Sequence, residues 1–576
     1  MNKHPRVVAI VVVGTILLVA CGRTPPPPAA LTPPAAQTAA SLPDMPPAPA
    51  DLAGWARGAQ LFDGLGSFHR KITTKSAAAQ SYFDQGMRLL WGFNHDESTR
   101  SFARAAELDP DCASCLWGVS LTVGPNYNQP LMAEARAKVA WATLQQAMKL
   151  RAHSSPVEQA LIGALGKRYS GPVALDPSNE APLLAAYADA MREVAKRFPR
   201  DFDVQTLFAE SLMNLNAWKL WSRDGKPAQG TEEIVARLKS VLERDPTHPG
   251  ANHYYIHALE ASPHPAEAVA AAERLGSMMP AAGHLVHMPA HILQRVGRYE
   301  EAAEANRKAA AADAAYLAKT TPLDYYPMYV GHNYQFLAYS AAMEGRKAET
   351  LDAVRHFREA IPESLMLMMP GLDWYGTEEY LALVRFGLWD ELLAAPAPNP
   401  KLQALCGGYL FARTLALAAK GRAAEARVAL AELERLGKDV AADAPAALNS
   451  AKAVLGVAAA IARAKVAASE GQSDDALRGL ADAVTQEDAL AYDEPADWFF
   501  PVRHLLGAEL LRAGKAAEAE RVYREDLRRN AGNGWSLFGL AQALKAQGKD
   551  GESRKVDAQF RDAWQHADVT LTASAM

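Results

Sequence analysis

The sequence has little of what builds a β-sheet or binds nucleic acid. Runs of β-branched residues are scarce beyond the N-terminus, whereas alanine is abundant and charged residues recur at helical spacing. This composition predicts an almost wholly helical protein and excludes sheet architectures. Its 60 Lys and Arg residues are balanced by 65 Asp and Glu residues, which gives a net charge of −5 at pH 7. Without a basic excess, we expect no nucleic-acid partner.

Cysteine is also rare, with four residues in a chain of 576. Cys112 and Cys115 form a C-x-x-C motif, but no second motif completes a zinc ribbon, and no βαβ pattern supports a thioredoxin site. A short-loop disulfide, packed thiols, and a redox or metal role stay open for this pair. Cys406 stands alone in the sequence and is expected to be buried.

An apolar run near the N-terminus, residues 7–19, is short for a membrane span and follows a basic head. It ends in Leu-Val-Ala-Cys at 18–21, which resembles the cleavage box of bacterial lipoproteins. The resemblance implies a signal peptide over 1–20 and a lipid on Cys21. Because Gly22 follows, it also implies an outer-membrane position in the cell envelope, facing the periplasm. Residues 21–50 are rich in proline and alanine, so we expect an extended tether.

A 34-residue spacing runs through the remaining chain. Pro246 and Pro280 lie 34 residues apart, as do Gly514 and Gly548. Around residues 79–110, small residues, an aromatic residue and a closing proline occupy offsets that resemble the tetratricopeptide repeat, a helix–turn–helix unit. The resemblance implies an all-α, right-handed α-solenoid of antiparallel helix pairs. We expect an N-terminal solenoid over 51–400 that carries the histidine-rich site, and further repeats over 401–576.

Histidines concentrate in two adjacent repeats, between residues 249 and 294. On an α-helix, residues three, four and seven apart share a face, so His253, His257 and Glu260 form one stripe. His284, His287 and His291 form a second stripe in the next repeat. In tetratricopeptide repeats these positions line the concave groove, as does one position in the repeat after. The candidate metal ligands are therefore His253, His257, His284, His287, His291 and His332.

A shared metal site explains this clustering better than independent placement does. Charged imidazoles on neighbouring groove positions would repel one another, and histidine is the commonest protein metal ligand. Copper suits an exported, imidazole-rich site best, followed by iron and zinc. A general acid–base cluster and a polar peptide groove stay open as alternatives. Glu260, together with Glu210 and Asn214 from the preceding repeat, forms the candidate catalytic set.

Aromatic residues flank this stretch on both sides. Trp218 precedes it, and the loop at 319–330 carries Tyr325, Tyr326 and Tyr329 just before His332. Long loops in a compact array are often functional. Candidate walls of a concave site for a small molecule are Trp218, Trp221, Tyr325, Tyr326 and Trp374.

Other histidines lack such a pattern. His248 and His264 lie in proline-containing turns, where we expect them to be solvated. His95 has no partner in the sequence and is expected on the surface. None of the three is a candidate ligand.

Two functions of different classes follow from these features. The first is an envelope metalloprotein, an oxidoreductase acting on a small or peptidic substrate; with zinc, the same site would hydrolyse its substrate. The phrases HPGANHYYIHALEASPHP and GHLVHMPAHI resemble exported tetratricopeptide lipoproteins with paired H-x-x-x-H motifs, which implies ligands but no reaction. The second function is an interaction scaffold whose groove binds a peptide or an envelope protein.

Replacement of Cys21 tests the lipid anchor. Because the acyl chains would attach to this thiol, Cys21→Ala should move the protein from the membrane fraction to the soluble fraction. Cell fractionation followed by immunoblotting measures the distribution, with Cys406→Ala as a control that should stay with the membrane. A Cys21 variant found wholly in the membrane fraction would show that another segment anchors the chain.

Overall fold

Antiparallel helix pairs make up nearly all of the computed structural model, which describes residues 47–323 and 326–575. Strand is confined in these ranges to Pro445–Ala446 and Asn449–Ser450, which pair antiparallel. This confirms the predicted all-α, tetratricopeptide-like solenoid. The predicted signal peptide, the Cys21 anchor and nearly all of the tether lie outside the described residues. Among the described helices, none is both long and apolar enough to cross a membrane.

The first nine helices precede the histidine-rich repeats. They are α1 (Leu52–Ala56), α2 (Ala77–Trp91), α3 (His95–Leu108), α4 (Ala113–Thr122), α5 (Glu134–Leu150), α6 (Pro156–Leu165), α7 (Ala181–Arg197), α8 (Phe202–Met213) and α9 (Thr231–Leu242). The Phe102 ring of α3 packs between Gly86 of α2 and Gly118 of α4, where an added Cβ would lie 2.6 and 2.4 Å from it. Glycine at both positions therefore allows three successive helices to share one aromatic ring.

The histidines lie on the next group of helices. These are α10 (Pro249–Leu259), α11 (Val269–Met278), α12 (Gly283–His287), α13 (Pro289–Arg295), α14 (Tyr299–Leu317), α15 (Tyr326–Met343), α16 (Lys347–Ala360), α17 (Glu363–Met368), α18 (Glu378–Arg385) and α19 (Trp389–Ala394). The sequence predicts one helix carrying the stripe from His284 to His291. Instead, α12 ends at His287 and α13 begins at Pro289, because proline has no amide hydrogen to continue the helix and its ring clashes with the preceding turn.

The last eight helices of the described residues form the C-terminal repeats. They are α20 (Gln403–Ala419), α21 (Ala423–Asp439), α22 (Ala451–Ser469), α23 (Ser473–Asp488), α24 (Val502–Arg512), α25 (Ala516–Arg529), α26 (Gly534–Ala546) and α27 (Asp550–Ala563). The turn inside each helix pair carries a glycine with φ between 71° and 78°, at Gly421, Gly471, Gly514 and Gly548. Residues with a side chain rarely adopt this left-handed conformation, which is why glycine marks each pair in the sequence.

The last repeats pack back onto the middle of the chain. The Trp535 indole donates a hydrogen bond to the carbonyl oxygen of Ala342 at 2.8 Å. The Asp568 carboxylate accepts hydrogen bonds from the amides of Lys347 and Ala348 at 2.6 and 2.8 Å. Residues 45–576 form one compact unit; the division at residue 400 stays a prediction. Through this return, the loop between α23 and α24 reaches the histidines.

The cysteine pair forms a structural bridge. Cys112 and Cys115 are joined in a disulfide, and both residues are fully buried. Cys112 also caps the first turn of α4. Because buried sulfur atoms are shielded from soluble thiols, we assign this bridge a structural role. Cys406, expected to be buried, is half-buried.

Gly118→Ala tests the shared aromatic contact. The added methyl group would overlap the Phe102 ring, and overpacking of this kind destabilises by about 1–3 kcal/mol. Gly551→Ala is the matched control, because open space surrounds this position in α27 and alanine favours a helix by up to about 1 kcal/mol. Thermal unfolding followed by circular dichroism should show a lower melting temperature for the first variant alone. Equal melting temperatures would contradict the packing.

Candidate metal centre

Six imidazoles lie side by side inside the described part of the protein. They come from α10 (His253 and His257), α12 (His284 and His287), α13 (His291) and α15 (His332). Five of these residues are at most 6% exposed, and His332 is half-buried. The structure therefore brings together all six candidate ligands. It encloses them, however, where the sequence predicts an open groove.

The first imidazole triad consists of His253, His257 and His284. One ring nitrogen of each lies within 4.8 Å of the other two. The ring centroid of His253 is 4.8 Å from that of His257 and 5.0 Å from that of His284. His284 thus groups with the two histidines of α10, whereas the sequence places it in one stripe with His287 and His291.

Hydrogen bonds determine which nitrogen of each ring in the first triad faces a cation. His253 Nδ1 donates to the Trp91 carbonyl oxygen at 2.6 Å, and His257 Nδ1 lies 3.0 Å from Glu260 Oε1. Because a carbonyl oxygen can only accept, Nδ1 of His253 carries the hydrogen and its Nε2 holds a lone pair; His257 has the same tautomer where Glu260 is ionised. The Nε2 atoms of His253, His257 and His284 are buried without a hydrogen-bond partner. Metal-binding histidines are oriented in this way, with their second nitrogen bonded to a carbonyl or carboxylate.

The second imidazole triad consists of His287, His291 and His332, again with one nitrogen of each within 4.8 Å of the others. His287 Nδ1 lies 2.6 Å from Asn306 Oδ1. The Asn306 amide keeps that orientation because its Nδ2 donates to a backbone carbonyl of its own helix at 2.7 Å. His291 Nδ1 is hydrogen-bonded to the Glu494 carboxyl group. The two remaining nitrogens, Nε2 of His287 and Nε2 of His291, face each other at 2.7 Å.

This contact between two ring nitrogens requires a hydrogen or a metal ion between them. Where Glu494 is ionised, both Nδ1 atoms donate to acceptors, and the two Nε2 lone pairs repel unless a proton or cation lies between them. Where Glu494 is protonated, its hydroxyl would donate to His291 Nδ1, and His291 Nε2 would donate to His287 Nε2. Burial, followed by neighbouring imidazoles, lowers the pKa of His287 and of His291 well below its usual value, so a proton is disfavoured. A metal ion bound to both nitrogens at about 2.0–2.1 Å would remove the repulsion after a small separation of the rings.

Two carboxyl groups connect the triads. Glu260 Oε1 lies 3.0 Å from His257 Nδ1, and Glu260 Oε2 lies 3.0 Å from His291 Nδ1. Glu494 reaches His291 from the loop between α23 and α24, 203 residues later in the chain. Burial raises the pKa of both carboxyl groups well above the usual value. Positive ions in the triads would stabilise the ionised form of this pair.

The two triads are neighbours. The ring centroids of His257 and His291 lie 5.8 Å apart, and those of His284 and His287 lie 5.9 Å apart. Burial lowers the pKa of His257 to about 3 and that of His332 to about 4. The imidazoles are therefore neutral near pH 7, which is the form that binds metal ions.

Two aromatic residues with unusual backbone conformations cover the first triad. Phe93 has a φ of 55° and Trp218 a φ of 61°, in a left-handed region that costs a residue with a side chain about 1–2 kcal/mol. The Phe93 ring lies 4.5 Å from that of His253, and the Trp218 ring lies 5.8 Å from that of His257. Strained residues of this kind concentrate at functional sites.

The structure places only one of the three candidate catalytic residues at the imidazoles. Glu260 lies between the triads. Glu210 instead accepts a hydrogen bond from Asn214 at 2.6 Å and lies near Arg168 and Tyr254. No described contact joins Glu210 or Asn214 to an imidazole of the triads, so we place neither in the candidate centre.

Two histidines outside the triads correct the sequence predictions. His248 is 2% exposed and not solvated; its Nδ1 accepts from the Ala251 amide at the start of α10, and its Nε2 contacts Asp203 at 3.0 Å. His95 is buried and not on the surface, and its ring centroid lies 5.4 Å from that of Phe93. His264 is exposed, as predicted.

Sequence reasoning missed three groups that complete the centre. They are the Trp91 carbonyl oxygen, Asn306 and Glu494. The first two carry no signal in the sequence, because any residue has a carbonyl oxygen and Asn306 is a single polar residue without a motif around it. Glu494 lies in DEPADWFF, an acidic and aromatic segment outside the helical rhythm, which is the one signal that could have indicated it.

No protein-family model and no curated protein matches the sequence. Similar solved structures include the human IFIT1 dimer with m7Gppp-AAAA, at 14% identity and a TM-score of 0.31, covering 85% of this chain and 91% of that chain. The P58(IPK) TPR domain has 12% identity and a TM-score of 0.21, with 82% and 99% covered. Yeast Tom70 has 11% identity and a TM-score of 0.28, with 84% and 91% covered. At such values the likeness concerns the helical repeat fold and carries no argument about the centre.

His95→Gln tests the burial of a neutral histidine beside the centre. Burial lowers the pKa of His95 to about 3. Below the unfolded pKa of about 6.5, the unfolded chain therefore binds a proton that the folded chain does not. The free energy of unfolding consequently decreases as the pH is lowered from about 6.5. Between pH 7 and about pH 4.5, the chelator-treated variant should lose less melting temperature than the parent.

The exposed His264 supplies the control for this pH series, because His264→Gln should follow the parent. Differential scanning fluorimetry at each pH gives the melting temperatures. If His95→Gln and the parent lose the same number of degrees, His95 does not contribute to the acid sensitivity.

Proposed function

We propose that this protein is a metalloprotein whose two imidazole triads each bind one ion, with Glu260 between them. The observation that supports the proposal is the convergence of three imidazoles in each triad, with Nε2 of His287 and Nε2 of His291 only 2.7 Å apart, where one cation would bind both rings. The unpartnered Nε2 atoms of the first triad repeat the same chemistry. Three protein ligands leave an ion open to water or substrate, as in catalytic metal sites.

The ligand chemistry favours copper. Imidazole suits copper, iron and zinc, and affinity for divalent ions of the first transition row is highest for copper. Copper or iron would supply electron transfer, so the protein would act as an oxidoreductase on a small or peptidic substrate. Zinc would supply an activated water for hydrolysis. In each case, the hydrogen bonds at Nδ1 of His257 and His291 hold these rings with Nε2 directed at the ion.

We place this activity at the cell envelope on the sequence alone. The Leu-Val-Ala-Cys box at 18–21 supports a lipid anchor on Cys21, and Gly22 supports the outer membrane, facing the periplasm. The proline-rich residues that follow would hold the folded part away from the lipid surface. An exported position also permits the disulfide between Cys112 and Cys115.

A protein-interaction scaffold is the second candidate function. Repeat arrays commonly bind peptides or proteins, and a polar cavity of about 750 Å³ beside the second triad favours this candidate. Its walls include Arg223, Arg503 and Arg528. Carboxylates such as Glu487 and Asp488 lie in the same walls, so groups of both charges would contact a polar peptide segment of an envelope protein.

Metal analysis of four chains distinguishes the two functions. After reconstitution with copper, the parent should hold one ion per triad. His253→Ala should lose the ion of the first triad and His287→Ala that of the second, because each removes one of only three protein ligands. His264→Ala, at an exposed histidine outside the triads, should keep both ions. Elemental analysis of the purified proteins measures the ratio of metal to chain.

Thermal unfolding provides a second readout. Ions that bind only the folded chain raise its melting temperature, so a chelator should lower the melting temperature of the parent and of His264→Ala, and lower it less in the ligand variants. Equal metal content in all four chains would overturn the proposal. So would a parent without metal after reconstitution with copper, iron, manganese and zinc, and the scaffold would then be the better explanation.

A further inference from the structure

An apolar cavity of about 300 Å³ adjoins the first imidazole triad. His284 forms part of its wall, and the other walls come from the segment before α2, from α2 itself, from the turn before α12, and from α14 and α15. Most of the lining side chains are aromatic or aliphatic; they include Phe62, Leu65, Leu89, Tyr316, Tyr326 and Tyr329. A candidate metal ligand is therefore exposed to an apolar space.

The aromatic walls offer ring faces to this cavity, because the tyrosine hydroxyls are engaged within the protein. The Tyr316 hydroxyl donates to Glu97 at 3.1 Å, and the Tyr326 hydroxyl donates to Asp313 at 2.7 Å. The Tyr329 hydroxyl accepts a hydrogen bond from an asparagine side chain at 3.4 Å. Walls of this kind favour a ring-bearing molecule that stacks or packs edge to face.

Size and charge restrict the molecule further. A cavity of about 150 Å³ holds benzene, so about 300 Å³ accommodates one substituted ring or two fused rings. The charged lining residues Asp63 and Lys319 are exposed. They therefore mark the side that faces solvent, and an ionic group carried deeper would lose its hydration among apolar walls. The ring of Tyr329 lies 4.6 Å from that of His284, at the end nearest the triad.

We infer that this cavity is the substrate pocket of the centre and binds a neutral aromatic molecule of one or two rings beside His284. The assignment as a substrate pocket rests on the proposed metal function. Binding itself rests on the cavity alone, so the two can fail separately.

Calorimetric titration of the full chain with 1-naphthol tests the pocket in both copper-loaded and metal-free protein. The neutral, two-ring probe should bind both forms, and naphthalene-1-sulfonate should bind at least tenfold more weakly because its charge would be buried. In the copper-loaded protein, 1-naphthol should also change the visible absorption, because His284 would ligate the ion.

Variants on one helix locate the binding. Ala312 of α14 lines the cavity, so Ala312→Leu should fill it and weaken 1-naphthol binding at least tenfold. Ala314→Leu is the matched control, because Ala314 is exposed on the same helix and does not line the cavity; its affinity should equal that of the parent. Circular dichroism checks that both fold. If Ala312→Leu does not fold, Phe62→Ala, which removes an aromatic wall, should weaken binding instead.

The outcomes separate the pocket from the metal. If 1-naphthol binds neither form, or binds Ala312→Leu and the parent equally, the pocket inference is overturned whatever the copper content. If naphthalene-1-sulfonate binds as tightly as 1-naphthol, the inference that the ligand is neutral is overturned. If 1-naphthol binds but the parent takes up no copper, the pocket is supported while its assignment as a substrate pocket is overturned together with the proposed function.

Discussion

The centre depends on holding six imidazoles neutral in a space that excludes water. A charged imidazole there would lose its hydration and lie beside other rings of like charge, so burial lowers the pKa of each. The protein responds with acceptors at Nδ1: the Trp91 carbonyl oxygen, Asn306 Oδ1 and two carboxyl groups. On four of the six rings these groups, when they accept, place hydrogen on one side and a lone pair on the other. The lone pairs then face inward, which is the arrangement that a metal ion requires.

Stacking of neighbouring repeats supplies the rings and the acceptors Glu260 and Asn306, whereas packing between remote segments supplies the Trp91 carbonyl oxygen and Glu494. Stacking of adjacent helix pairs brings α10, α12, α13 and α15 together. Trp91 comes from a repeat 162 residues earlier than His253, and Glu494 from a loop 203 residues later than His291. The C-terminal repeats return to the middle of the chain, and that return carries Glu494 inward. The triads also have different surroundings, because an apolar cavity adjoins His284 and a polar one adjoins His291.

The wrong predictions for His248, His95 and Glu210 share one physical cause. Helical spacing states which side chains share a face, but not how far that face lies from solvent or which remote segment covers it. His248 and His95 were therefore expected in water, although one caps α10 and the other packs against Phe93. Glu210 lies on a groove position by repeat arithmetic, yet its partners are Asn214 and Arg168. The split between α12 and α13 is different, since Pro289 was visible in the sequence and its effect on the helix is local.

The sequence by itself determined the helical repeats and the six histidines that meet. Both follow from local rules: a 34-residue period, turn glycines with positive φ, and imidazoles at positions that repeat stacking brings onto one side. Only the tertiary structure decided that the six form two triads, that His284 groups with α10, and that Glu494 contacts His291. It also decided the tautomers, because a lone pair is directed by the acceptor on the opposite nitrogen. Two of those acceptors, the Trp91 carbonyl oxygen and Glu494, come from segments far away in the chain, and no local pattern encodes such remote contacts.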